Sequence, residues 1–249
     1  MIVLKTSREL GLMREACRIS AGALHLVGKC VEPGISTAEL DKIAENYILS
    51  QGATPNFKGY SGYPATACIS INNEVIHGIP SKKRILKSGD IVSVDLGAAF
   101  EGYNGDNAAT FAVGDISEDA KRLIDATRES LYEGISVARA GGRIGDIGSA
   151  IQRYVEARGF SVVREFVGHG IGTKLHEAPE VPNFGTPGKG IRLMPGMTIA
   201  IEPMINMGLP GVKTLSDGWT VETKDGALSA HFEHTIAITS DGTQILTSI

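Results

Sequence analysis

Three cysteines in 249 residues leave little for a disulfide framework, and their number is odd. Cys17, Cys30 and Cys68 lie far apart and form no C-x-x-C pair, which argues against a structural zinc site and for a reducing compartment. No apolar run approaches the ~20 residues of a bilayer span. The opening MIVLKTSREL has neither the apolar core nor the cleavage site of a secretory signal. A cytoplasmic protein with no membrane association is expected. Positive charge is also not in excess. Lys and Arg number 24 against 28 Asp and Glu, a formal net charge of −4, unlike a dedicated nucleic-acid binder. Charged residues make up 21% and hydrophobic ones 42%, which permits a sizeable core and disfavours disorder.

Two capping boxes begin the chain. Thr6-Ser7-Arg8-Glu9 predicts a helix carrying Leu10, Met13, Cys17, Leu24 and Val27 on one face, broken at Pro33-Gly34. Ser36-Thr37-Ala38-Glu39 predicts a second helix ending near Gly52. The order returns later. Asp115 to Glu118 is expected to cap a helix to about Ala140, and a shorter helix spans about 145–158. Superposing the halves at an offset of 107 matches Gly34 with Gly141, Tyr47 with Tyr154, Gly52 with Gly159, Leu86 with Leu193 and Gly89 with Gly196. It also lays 89-GDIVSVD-95 over 196-GMTIAIE-202. We expect one domain over 1–249 made of two α-β halves, about 1–113 and 114–249. A pseudo-twofold axis would bring Asp95 and Glu202 together.

In 91-IVSVDLGAAFEGYNGDNAATF-111 the spacing suits a hairpin. If Asp95 faces Asp106, the turn falls at Phe100-Glu101, and the opposed Cβ atoms are ~4.5–5.5 Å apart. Two like charges that close drive one toward protonation unless a cation intervenes. An exposed hairpin, or pairing with Lys or Arg, explains two acids alone equally well. His169 in 167-VGHGIG-172, Glu202 in 199-IAIEP-203 and Glu233 in 230-AHFEHT-235 shift the balance. Strand-borne acids are costly to bury without compensation, and a metal centre accounts for the group together. Four carboxylates and one imidazole without thiolate favour Mn, Fe or Co, with Zn or Mg as further candidates. Shared carboxylates suit two ions ~3.5–4 Å apart.

The order Asp95, Asp106, His169, Glu202, Glu233 resembles the dinuclear site of the methionine aminopeptidase/aminopeptidase P superfamily. The strings 68-CISINNEVIHGIP-80, 174-KLHEAPEVPNFG-185 and 218-GWTVETKDGALSA-230 narrow the resemblance to type 1 methionine aminopeptidases, in the short bacterial form, over essentially the whole chain. It implies an α+β, pita-bread (creatinase/aminopeptidase-like) fold with two pseudo-twofold-related halves around a central curved antiparallel sheet. Prolidases and aminopeptidase P carry a further N-terminal domain for which this length leaves no room.

The resemblance also implies roles. Asp95 and Asp106 hold one divalent ion, His169 and Glu202 the other, and Asp106 and Glu233 bridge. A hydroxide between the ions attacks the first peptide bond, Glu202 moves the proton, His176 hydrogen-bonds the scissile carbonyl and His77 contacts the next residue. Phe57, Tyr60, Tyr63, Cys68, Leu175 and Trp219 form the methionine pocket. Phe57 stands where many relatives have cysteine, and Leu175 where they often have phenylalanine. The implied substrates are nascent polypeptide N-termini with a small second residue. A monomer is expected, with transient ribosome contact through Lys82, Lys83, Arg84 and Lys87. His25 is expected to be a packing or surface residue. By strand parity His234 should face away from Glu233's side, while His231 should share it as a candidate support for a ligand. Two other readings are an X-Pro metalloexopeptidase on the same fold, and a non-enzymatic binding module.

Overall fold

In the computed structural model, which describes residues 2–248, Thr6 and Ser36 open helices α1 (Ser7–Cys30) and α2 (Thr37–Ser50) as capping boxes. Each cap side chain accepts from the N–H of a glutamate three residues on, and that glutamate accepts from the cap's own N–H, satisfying donors that a helix start leaves bare. Strands β1 (Thr54–Pro55), β2 (Ala67–Ile71), β3 (Glu74–Ile76), β4 (Ile91–Phe100) and β5 (Tyr103–Ala112) follow. Then come α3 (Glu118–Val137) and α4 (Ile144–Glu156). The remainder is β6 (Ser161–Val162), β7 (Gly168–Gly170), β8 (Glu177–Val181), β9 (Thr198–Ile201), β10 (Met204–Asn206), β11 (Val212–Thr214), β12 (Val221–Thr223), β13 (Ser229–His231), β14 (Glu233–Thr239) and β15 (Gly242–Ile245).

The third helix corrects its expected start. Its cap is Ser117, whose hydroxyl accepts from Ala120 N–H. Glu118 and Asp119 fill the first turn instead of the cap, where carboxylates oppose the positive end of the helix dipole. Asp115 donates its own N–H to Ser88.

A nine-stranded sheet runs β1-β4-β5-β14-β9-β7-β8, with β2 also on β4 and β15 also on β14. Every pairing within it is antiparallel. The β4–β5 hairpin is shifted from the expected register. Phe100 pairs with Tyr103, so the turn is Glu101-Gly102, and Asp106 lies opposite Gly97 while Asp95 lies opposite Ala108. Both turn residues have positive φ, 45° and 81°. A two-residue hairpin turn of this hand favours glycine, which Gly102 supplies, and it would strain Phe100. Asp95 and Asp106 therefore share a face as diagonal neighbours, not as an opposed pair.

The 107-residue offset recurs in the backbone. Gly34 and Gly141, Gly52 and Gly159, and Gly89 and Gly196 all have φ between 73° and 98°. Gly34 N–H donates to Leu86 O, as Gly141 N–H does to Leu193 O; Ala53 N–H donates to Ile48 O, as Phe160 N–H does to Val155 O. The bridges Ser36–Ile85 and Arg143–Arg192 repeat it again.

Each helix pair covers its own stretch of sheet. Ile19, Val27, Leu40 and Ile48 pack on Ile69, Val92, Val94 and Leu96. Leu123, Leu131, Ile147 and Ile151 pack on Ile199, Ile201, Ile236 and Ile238. Burying each such side chain contributes ~1.5–3 kcal/mol. A third cluster holds Met13, Cys17, Phe57, Tyr63, Cys68 and Leu175, the last four of which line a cavity. No described helix is long and apolar enough to cross a membrane.

Candidate metal centre

Ala108 of β5 is flanked by Asp95 on β4 and by Glu233 on β14. Asp106 lies two residues along β5 on the same face. The small Ala108 side chain leaves the space over it to three carboxyls. His169, on β7, and Glu202, one residue past β9, complete the ring. The backbone packs closely on both sides of His169. A Cβ on Gly168 would lie 2.4 Å from Ala200 O, and one on Gly170 would lie 2.3 Å from Ala178 O, so only glycine permits this packing beside the imidazole.

Atoms of Asp106, His169 and Glu233 lie within 4.8 Å of one another. His169 Nε2 is 3.5 Å from Glu202 Oε1 and 3.8 Å from Asp106 Oδ2. These are not ion pairs. Burial holds the imidazole down at about 4, with His176 adding to the shift. Its Nδ1 faces Gly170 O at 2.9 Å, which requires N–H there and leaves a lone pair on Nε2. A lone pair aimed between carboxylate oxygens repels them unless a cation lies among them.

The carboxyls point the same way. Asp95 Oδ1, Asp106 Oδ1 and Glu233 Oε1 are buried without a hydrogen-bond partner among the described residues. Such atoms are rare and costly in a folded chain. Burial pushes Asp95 up to about 8. It also pushes Asp106, Glu202 and Glu233 well above the usual range, and the neighbouring carboxylates push further. Buried oxygen donors crowded on one another, with one imidazole and no thiolate, fit a hard or intermediate divalent cation.

The acids and His169 form one end of a cavity of about 300 Å³ that also takes in Phe57, Tyr60, Tyr63, Cys68, His77, Leu175, His176 and Trp219. Every site residue singled out from the sequence therefore lines one space. Cys68 pairs across β2–β4 with Asp95, which puts the thiol at the junction of its acidic and apolar ends. Tyr63 meets Trp219 edge-on at 5.1 Å. His176 Nδ1 lies 2.7 Å from Tyr60 OH, and its ring stands 4.2 Å from that of His169. Tyr60 thus orients His176 besides lining the pocket. His77 holds a left-handed backbone, φ 60°, unusual without glycine and typical of residues fixed for a task.

Sequence reasoning missed Ser61, Ile76, Phe166 and Val167, which line the same cavity. Phe166 packs edge-on against His77 at 5.8 Å. Two signals were available: Ile76 precedes His77, and Phe166-Val167 runs into the glycine-flanked histidine. His231 is buried, with neither ring nitrogen partnered among the described residues, and its Nε2 is 3.8 Å from Glu202 Oε2. His234 faces the opposite side, where Nδ1 meets Thr247 Oγ1 at 2.8 Å. His25 is exposed on α1. Lys82, Lys83 and Lys87 are exposed too. Arg84 instead turns inward to the Glu74 carboxylate and Ile79 O, so it is not a free surface cation.

The model of metallopeptidase family M24 matches residues 11–240. Methionine aminopeptidase 1 of Bacillus subtilis is 57% identical over 249 residues, covering 100% of both chains. Methionine aminopeptidase of Clostridium perfringens is 58% identical over the same span, again covering 100% of both. The crystal structure of methionine aminopeptidase from Thermotoga maritima superposes with a TM-score of 0.99 at 46% identity, covering 100% of each chain.

Proposed function

The chain belongs to metallopeptidase family M24 and, within it, to the methionine aminopeptidases; on that premise we propose that two divalent ions share its centre, and that it removes the initiator methionine from nascent chains whose second residue is small. The observation that carries the reading is one cavity end that gathers buried, unpartnered oxygens of Asp95, Asp106 and Glu233 with the Nε2 lone pair of His169, itself facing Glu202 Oε1 and Asp106 Oδ2. Asp95, Asp106, His169, Glu202 and Glu233 would hold the ions, drawn from Co, Mn and Fe, with Zn also suited to the donors. Bound there, divalent ions supply an acidified water and an electrophile for the peptide carbonyl.

The chain's own residues do the rest. Phe57, Tyr63, Cys68, Leu175 and Trp219 offer a soft apolar sleeve that matches a thioether. In it, the larger Phe57 and the smaller Leu175 offset each other in volume. His176, held by Tyr60, donates to the oxygen that gains charge during attack. His77 contacts the residue beyond the cleaved bond. Glu202 carries the proton to the departing amine. The enzyme acts as a cytoplasmic monomer, and its exposed Lys82, Lys83 and Lys87 offer a weak phosphate contact at the ribosome.

Purified protein should cleave Met-Ala-Ser and not an Ala-Pro peptide, lose activity to chelation, and lose it in His169→Ala. Preference for Ala-Pro would give the site to X-Pro chemistry. Activity that survives chelation and His169→Ala would remove the metal centre from the account. Comparable turnover of Met-Lys and Met-Ala peptides would refute the small second residue, and metal analysis of protein isolated without added ions would test the pair.

A further inference from the structure

We propose that His231 is a positioning residue for Glu202, donating Nε2–H to Oε2 so that Oε1 alone is left to the metal centre; this rests on the metal-centre reading above. His231 ends β13, opposite Met204 of β10, two residues beyond Glu202. Its backbone is clamped from β5: Thr110 Oγ1 accepts from His231 N–H and donates to His231 O, both at 2.9 Å. The direction of the imidazole is therefore set by the sheet.

The ring is 1% exposed, and neither nitrogen has a hydrogen-bond partner among the described residues. One ring nitrogen of any imidazole must carry hydrogen. A buried N–H left bare is costlier and rarer than a bare acceptor, so the tautomer follows the nearest acceptor. The charged acceptor beside the ring is Glu202 Oε2, 3.8 Å from Nε2. The gap exceeds a hydrogen bond, and a small rotation of the Glu202 carboxyl closes it. Among the described residues no hydrogen bond to the Glu202 carboxyl opposes that rotation, and Asn183 donates to the Glu202 backbone oxygen.

The two oxygens of Glu202 thus have unlike neighbours. Oε1 faces the lone pair on His169 Nε2 at 3.5 Å. Oε2 faces a donor. His231 decides which oxygen turns to the centre, and supports a carboxylate at the place where the proposed reaction needs one.

The test compares His231→Phe, which keeps a ring and loses the donor, with His231→Gln, which keeps a donor of similar reach. In His231→Phe, kcat on Met-Ala-Ser should fall ~10–100-fold with KM little changed, and calorimetric Mn²⁺ affinity should weaken ~10-fold. His231→Gln should restore most of both. His231→Phe with wild-type kcat and Mn²⁺ affinity would overturn the role, and so would equal losses in Phe and Gln. If the Phe variant does not fold, ¹⁵N spectra of histidine-labelled wild-type protein decide, with the His231 signal assigned by its loss in His231→Gln. Hydrogen on Nε2 supports the proposal, and hydrogen on Nδ1 alone overturns it. Wild-type protein that binds no Mn²⁺ would overturn the centre and this role with it, whereas a normal wild type beside an unaffected His231→Phe would overturn only the role.

Discussion

Asp95, Asp106, Glu202 and Glu233 are each pushed up by burial, the last three also by neighbouring carboxylates, and this sets the sign of two pH effects. A carboxyl whose folded pKa lies above its unfolded value, ~3.9 for Asp, stabilises the fold fully only below the unfolded value. That contribution is lost as pH rises through the folded one. His77 and His169, held down at about 4, and His231, at about 3, act oppositely: their contribution is lost as pH falls below ~6.5. Between pH 7 and 8 the histidines are neutral in both states, so the carboxyls dominate. Chelated protein should melt at lower temperature as pH rises across that window, and saturating Mn²⁺ should remove the slope. Mn²⁺ binding should also release protons, read as a dependence of the calorimetric heat on buffer ionisation enthalpy. A melting temperature that rises from pH 7 to 8 in chelator would contradict the buried-acid account. The acids were legible because each bordered residues of strong β pattern, where a buried charge needs compensation. Phe166 and Ile76 were not, because an apolar side chain in an apolar run looks the same whether it lines a cavity or fills a core.

At the scale of elements, capping and parity were legible and register was not. Thr6 and Ser36 stood in full S/T-x-x-E boxes, and both helices begin there. Ser36→Ala should cost about 1 kcal/mol, seen as a fall of ~2–4 °C in thermal unfolding. The β4–β5 hairpin put Asp95 and Asp106 on the expected face because a two-residue shift in pairing keeps parity. It did not oppose them, because Gly102, not Phe100, takes positive φ in the turn. Gly105, beside Asp106, shows what the strand pattern hides. A Cβ there would lie 2.6 Å from the backbone N and Cα of Cys17, so α1 rests directly on the strand that carries the acid. Backbone cannot swing aside as a side chain can, and overpacking of this kind typically costs ~1–3 kcal/mol. Gly105→Ala should lower the unfolding midpoint and weaken Mn²⁺ binding together, since the displaced strand bears Asp106. Unchanged midpoint and affinity would mean that α1 yields freely.

At the scale of the whole molecule, the 107-residue offset was legible because left-handed glycines leave the same mark in sequence and in backbone, as Gly34 and Gly141 or Gly89 and Gly196 do. What sequence did not reveal is how the join is made. Asp95 and Asp106 come from residues 1–113, and His169, Glu202 and Glu233 from 114–249. In the main sheet the join is the β5–β14 pairing, with Glu233 opposite Ala108 and His234 opposite Asn107, reinforced by Thr235 Oγ1 on the backbone N–H and O of Asp106; elsewhere β3 pairs with β12, Lys5 with Glu177, and Thr110 holds the His231 backbone. The acids thus lie across one stretch of the seam between the proposed halves, where like charges push the two sides apart. A divalent cation held from both sides reverses that force. Fragments 1–113 and 114–249, made separately, should lack peptidase activity and cooperative unfolding. Mixed with Mn²⁺, they should associate and regain cleavage of Met-Ala-Ser, and chelator should abolish the activity and weaken the association. Activity in either fragment alone would show that the centre is not shared, and association indifferent to chelator would show that packing, not the cation, holds the seam.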